Sequence, residues 1–281
     1  MSPDQFLFLL VAALAAGALG SALGMAGGIF VVPVLTLFAG VSFPVAVAVS
    51  LISVIACSCA SAPSFLTAGL TNLRLAVVLE VATALGAMAG VLMIGLVHEQ
   101  VLYGIFAAVL MVSAIQMLAA RRARLPLPQG GVGERLRLNS SYTASDGSAV
   151  VYGVSHVPLG LSFMFGAGLL SALLGIGSGV LKIPAMDAAM RLPLKVSSAT
   201  ANLTISVTAC GTAAAALLAG NLDLSLAVPI VLGSVAGSML GARILVRVAG
   251  PGLRAAFILV LFVLAIPMTM NALGLQLGAH S

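Results

Sequence analysis

The sequence predicts an all-α polytopic membrane protein made of two inverted repeats of about five crossings each, with one Gly-rich broken helix in each repeat. Three observations carry this reading. Of 281 residues, 61% are hydrophobic and only 7% charged, against about a quarter charged in a soluble domain. Apolar segments of about 20 residues, the length a span needs, recur from end to end. Finally, the stretch "GMAGGIFVVPVL" at 24–35 returns as "GIGSGVLKIPAM" at 175–186, with first glycines 175 − 24 = 151 positions apart.

Eight long apolar segments lie at roughly 5–23, 44–68, 75–97, 101–119, 151–174, 195–219, 224–246 and 254–277. The first carries Asp4 in place of the basic leader of a cleavable signal, so it is expected to stay as a span. Two shorter apolar pieces, 29–41 and 180–192, begin in the glycine-rich stretches and hold an early proline, Pro33 or Pro184. A proline pushes its predecessor away from helix and is tolerated in a first turn. Each piece therefore reads as an extended strand leading into a half-helix. The longest polar stretch, 121–148, is too short to build a core of its own. Cys57, Cys59 and Cys210 fall within apolar segments. Residues two apart point to different helix faces, so these cysteines read as structural thiols, with no metal expected.

The repeat extends past the glycine stretches. Gly69 matches Gly220, and Gly86 and Gly90 match Gly237 and Gly241, all at the same spacing; Pro44 and Pro193 match after a two-residue gap. The expected organisation is a first transmembrane repeat at 1–120, a basic linker at 121–149 and a second repeat at 150–281. Orientation follows from parity. If the short pieces cross and the N-terminus lies outside, the inside loops carry Arg74, the linker arginines, Arg191, Lys195 and the cluster from Arg243 to Arg254. Every Lys and Arg except Lys182 is then inside, as the positive-inside rule requires. Ten crossings, inverted halves, a cytoplasmic linker and both termini outside a cell membrane are expected. The net charge of +5 is read through these loops, and no nucleic-acid partner is implied.

Unwound backbone at membrane depth is tolerated where it is buried in protein or lines a wet cavity. Inverted repeats with paired broken helices are a common build of secondary transporters, with the site where the repeats meet. Half-helix N-termini offer N–H groups and a positive dipole end, which suits an anion. Gly27, Gly28, Gly177, Ser178 and Gly179 are the candidate cradle for a small anionic substrate. Lys182 stands where the first copy has Val31. A mid-membrane cation is expensive and a functional candidate; it either faces the anion, pairs with Asp187, or snorkels to an interface. Glu80, isolated in "LAVVLEVATAL", is a candidate carrier of a coupling proton, with Arg74 as the competing structural partner. The hydroxyl- and amide-bearing helices at 50–64 and 197–212 add Ser50, Thr200 and Asn202 as neutral donors, although such residues also serve helix packing. Gly86, Gly90, Gly233, Gly237 and Gly241 read as packing seams.

The doubled Gly-rich/Pro pattern, each copy followed by a proline and a Ser/Thr-rich helix, resembles the sulfite exporter TauE/SafE family over nearly the whole chain except the linker. Ala26 and Ser178 stand where that family often shows glycine. The resemblance implies a secondary carrier of sulfur-containing anions such as sulfite or sulfonates, working in export, with proton coupling open and no cofactor. An anion channel, or a permease for another small solute, is the alternative. No HExxH, GxSxG or paired carboxylate speaks for an enzyme.

Overall fold

The computed structural model describes residues 3–93, 96–119, 132–143, 148–174, 179–220 and 222–247, with helical positions scattered between 255 and 270. The first half runs α1 (Pro3–Ala22), the short α2 (Gly28–Pro33) with a π-helical turn at Val34–Phe38, α3 (Phe43–Thr67), α4 (Leu73–Met93) and α5 (Glu99–Ala119). A linker follows, with a single turn α6 (Val132–Arg135) and a hairpin of β1 (Ser140–Thr143) and β2 (Ala149–Tyr152). The second half repeats the order: α7 (Val157–Leu174), α8 (Gly179–Pro184) with a π-helical turn at Ala185–Ala189, α9 (Leu194–Leu218) and α10 (Leu224–Arg247).

Six of these helices, α1, α3, α4, α7, α9 and α10, are long and apolar enough to cross a membrane. The chain is an all-α polytopic membrane protein. Its α4 shows what the bilayer does to sequence pattern. Val77, Val81, Leu85, Met88 and Leu92 stand three or four apart on one exposed face, with Leu92 80% exposed. The opposite face, Leu75, Leu79, Thr83, Gly86 and Gly90, is buried. Both faces are apolar, because lipid replaces water as the solvent of the first.

The duplication is visible in backbone detail. Gly40 and Arg191 hold the same left-handed turn, with φ of 64° and 59°. The Val41 N–H donates to the Leu35 carbonyl at 3.1 Å, and the Leu192 N–H to the Met186 carbonyl at 3.0 Å. Helices α3 and α9 begin at Phe43 and Leu194, the full 151 positions apart, so the two-residue gap inferred from the prolines is not needed. Pro44 sits inside the first turn of α3, whereas Pro193 is the N-cap of α9. These are different capping positions that proline satisfies equally well.

The halves interlock. Helix α1 lies along α10, α4 lies along α7, and α3 crosses α9. A Cβ at Gly86 or Gly90 would overlap the carbonyl of Phe165 or Leu169 on α7; one at Gly237 or Gly241 would overlap that of Leu14 or Ala18 on α1. Small residues let helix backbones approach in this way, and packing is what drives association where lipid is as apolar as the side chains. The glycines read as seams in the sequence are seams in the fold.

Two local readings need correction. The pieces before Pro33 and Pro184 are helical, not extended. Pro33 costs only the bond to the carbonyl four residues back, Ile29, in the first turn, and the chain continues by widening into π spacing. The linker also contains strand. Ser140 pairs with Tyr152 and Thr143 with Ala149 in an antiparallel ladder, favoured by the β-branched and aromatic residues at these positions.

Candidate functional site

The first glycine stretch ends α1 and turns back on it. The Met25 N–H donates to the Gly20 carbonyl at 2.6 Å, and the Gly24 N–H to the Ser21 carbonyl at 3.0 Å. Gly24, Ala26 and Gly27 take φ of 80°, 54° and 76°. Ala26 thus adopts a left-handed conformation that suits glycine. Met25 and Ala26 are fully buried. Gly27 caps α2, its carbonyl accepting from the Phe30 N–H at 3.0 Å, and Ser50 on α3 donates its hydroxyl to the Gly28 carbonyl at 3.1 Å.

This stretch is closed over by the other half. A Cβ at Gly24 would crowd Ser198 of α9, and one at Gly179 would stand 3.1 Å from the Met25 Cα. The two glycine stretches therefore meet, Gly179 against Met25. Gly177 and Ser178 lie outside the described residues.

Most of the polar residues of α3 and α9 are buried. The amide of Asn202 donates to the Ser61 hydroxyl at 2.9 Å and to the Ser58 carbonyl at 3.4 Å, and both residues are closed to solvent. Its Oδ1 and the Ser58 hydroxyl are buried with no partner among the described residues. Thr200 accepts from the main-chain N–H of Asn72 at 3.1 Å, tying α9 to the loop between α3 and α4. Asn72 also donates its amide to the Leu138 carbonyl at 2.8 Å and to the Tyr152 hydroxyl at 3.3 Å. Its own Oδ1 accepts from the Leu75 N–H at 3.1 Å, as an N-cap does. One buried asparagine thus joins the linker, the start of α4 and α9.

The charged pair is the centre of the arrangement. Lys182 on α8 donates to the Glu80 carboxylate on α4 at 3.0 Å, the side chains being 1% and 13% exposed. Lys182 donates also to the Thr208 hydroxyl at 3.0 Å, and Thr208 donates to the other Glu80 oxygen at 2.6 Å. Sequence reasoning weighed Asp187 as a partner for Lys182 and Arg74 as one for Glu80; the structure joins Lys182 and Glu80 to each other. Arg74 instead reaches the Arg137 carbonyl at 3.5 Å. Thr208 was not singled out. The available signal was that Glu80 and Lys182 both fall, one repeat away, on valines, Val231 and Val31. Two opposite charges, one in each half and each replaced by valine at its repeat-related position, are each other's natural partner, since a buried charge without a partner is costly.

Eight of the ten candidates from the sequence are thereby placed in groups. Gly27, Gly28 and Ser50 form the first cradle; Gly179 abuts it; Lys182 and Glu80 form the ion cluster. Asn202 lies at the α3–α9 crossing, about 9 Å along the helix from Thr208 by helical rise, and Thr200 faces the loop before α4.

The sequence profile of the sulfite exporter TauE/SafE family matches residues 9–268. The chain belongs to this family. A relative from Bacillus subtilis (strain 168), described as "Probable membrane transporter protein YunE", is 29% identical over 208 residues, covering 70% of this chain and 72% of its own. No solved structure matches. TauE/SafE membership places the ion cluster in a family of membrane transporters, and the profile spans both glycine stretches, both seams and all three residues of the cluster.

Proposed function

We propose that this chain is a secondary carrier of small sulfur-containing anions, sulfite or a sulfonate among them, working in export through a cell membrane. The observation that carries the reading is the Glu80–Lys182–Thr208 cluster, built from both halves at the start of the second broken helix. The family's name supplies the substrate class and direction. An ammonium beside a serine- and threonine-rich helix is suited to an oxyanion: the charge attracts it and the hydroxyls orient it.

In this reading the halves are inverted and cross ten times, with the first repeat at 1–120, the linker at 121–149 and the second repeat at 150–281. Both termini lie outside and the linker lies in the cytoplasm. Gly27, Gly28, Gly177, Ser178 and Gly179 supply backbone donors, Lys182 supplies charge, and Ser50, Thr200 and Asn202 supply neutral polar groups. Glu80 handles the coupling proton.

The test is flux in proteoliposomes against sulfite, thiosulfate, sulfonates, sulfate and carboxylates. Accumulation of a sulfur anion against its gradient is expected from a carrier, whereas flux that only dissipates the gradient would identify a channel. Lys182→Ala removes one partner of a desolvated charge pair, which commonly costs about 2–5 kcal/mol. Anion affinity should fall by a factor of roughly 30 to several thousand. Unchanged affinity in a folded Lys182→Ala protein would end the role of Lys182.

A further inference from the structure

The ion cluster carries its own internal control. Moved by 151 positions into the other half, Glu80, Lys182 and Thr208 become Val231, Val31 and Cys57. The two halves share helix starts, left-handed turns and glycine contacts, so the same architecture is closed without charge on the other side. A buried ion pair brings no general advantage in stability over a packed apolar set. The fold does not need this pair, and its chemistry has another use.

We propose that Glu80 and the substrate anion are alternative partners of the Lys182 ammonium, so that each anion bound is matched by one proton taken up on Glu80. This rests on the reading of the chain as an anion carrier and names its coupling. In the structure both Glu80 oxygens are engaged, one by Lys182 and one by Thr208. A proton taken from solvent onto a carboxylate oxygen leaves a neutral carboxyl, which no longer holds the ammonium; the anion takes that place, with the Thr208 hydroxyl as a second donor. The charges balance in both states. The empty site holds one negative and one positive group, and the loaded site holds a neutral carboxyl, the ammonium and a monoanion. Either state traverses a low-dielectric interior without net charge. Anion without proton, or proton without anion, leaves a net charge there and is penalised. The proton therefore travels with the anion, and export runs down the anion's own gradient.

Among the described residues, the other ionisable groups on the elements packed against this pair are few. Helix α7, which packs along α4, carries no acidic, basic, Cys or Tyr side chain over Val157–Leu174. Helix α9 adds Lys195 in its first turn, bonded to the Val246 carbonyl at 3.2 Å, and Cys210, which is exposed. Arg74 stands exposed in the first turn of α4. On α5, which packs on α8, Glu99 opens the helix and Tyr103 stacks edge-on against Phe43 at 4.9 Å. Asp187 lies on the turn after α8.

The experiment uses the full chain in liposomes with methanesulfonate, a monoanion throughout, and thiosulfate, a dianion, alongside acetate as a carboxylate. With the outside acid, the wild type should accumulate methanesulfonate, one proton entering per anion, with no response to a clamped potential; thiosulfate should move with net negative charge. Glu80→Gln should abolish pH-driven accumulation, make anion exchange independent of pH, and tighten anion binding by about tenfold because the competitor is gone. Glu80→Val/Lys182→Val rebuilds the apolar set of the other half; it should fold and bind no anion. Methanesulfonate accumulation in Glu80→Gln that still follows the pH gradient, or wild-type flux with no proton movement, would overturn the proposal while leaving the carrier intact. Acetate carried in a Glu80-dependent, proton-coupled way, with neither sulfur anion carried, would uphold the coupling and overturn the substrate class. No anion carried by the wild type would overturn both.

Discussion

Gly17 and Ser234 meet backbone to backbone: a Cβ at Gly17 would overlap the Ser234 carbonyl. One repeat later, a Cβ at Gly168 would overlap the carbonyl of Thr83, which itself stands one repeat before Ser234. The contact is reciprocal, each half contributing a glycine once and a carbonyl once. The α1–α10 and α4–α7 seams are therefore one structural solution used twice. The Ser234 hydroxyl also accepts from the Ser53 hydroxyl at 2.8 Å, which brings α3 to the same place.

Gly17→Val and Gly168→Val should consequently be equivalent. Overpacking a core commonly costs about 1–3 kcal/mol, and here the obstruction is main chain, which cannot swing aside. Both variants should lower the melting temperature of the detergent-purified protein by similar amounts, while Gly166→Ala, where a Cβ meets open space, should leave it near the wild type. A tolerated Gly168→Val beside a damaging Gly17→Val would break the equivalence.

The first cradle makes a separate prediction. Ala26 pays for a left-handed φ of 54°, so Ala26→Gly should be neutral or stabilising by up to about 1 kcal/mol. Gly27 combines φ of 76° with an Ala16 carbonyl only 3.0 Å from where a Cβ would stand. Gly27→Val should stop transport while some folded protein still reaches the membrane. Thermal melts and flux measured on the same preparations separate the two residues. Normal flux in Gly27→Val would remove this turn from the mechanism.

What the sequence made legible followed from physics that acts locally or periodically. Low charge and long apolar segments gave the membrane class; the recurring Gly69/Gly220 and Gly86/Gly237 pairs gave the duplication; Pro33 and Pro184 marked the broken helices. The pairing of Glu80 with Lys182 joins residues 102 positions apart on helices from different halves, and only packing decides which charges meet. The hairpin was hidden for a different reason: four-residue strands within a basic linker are too short for a strong period-two signal. The helical start before Pro33 was missed because the bias of a pre-proline residue is weaker than the gain from continuing a buried helix.

Topology can be read at the hairpin. Ser140 is exposed at the start of β1, in the segment that the arginine distribution assigns to the cytoplasm. In a background with Cys57, Cys59 and Cys210 replaced, Ser140→Cys should resist a membrane-impermeant thiol reagent in intact cells and react after the membrane is opened. Labelling in intact cells would invert the whole assignment.

The linker contact offers a pH-dependent test outside the membrane. Tyr152 is buried to 7% exposure, and its hydroxyl accepts from Asn72. Burial, the largest influence, pushes its phenol above the ordinary value near 10; hydrogen bonds with Ser140 and Asn72 act against this, more weakly. A phenol raised on folding favours the neutral form in the folded state. Its stabilising contribution is complete below the unfolded value of about 10 and is lost as pH rises through the higher folded value. The chain has no tryptophan and three tyrosines, so ultraviolet titration reads phenolate formation cleanly. One tyrosine should ionise late, and its ionisation should coincide with release of the linker, followed by protease cutting between Leu138 and Tyr152. Tyr152→Phe should remove the late step. Asn72→Ala should release the linker already at neutral pH, because it deletes the bonds to Leu138 and Tyr152 and the cap at Leu75 together. A linker as resistant to protease in Asn72→Ala as in the wild type would show that the asparagine is not what fastens it to the membrane helices.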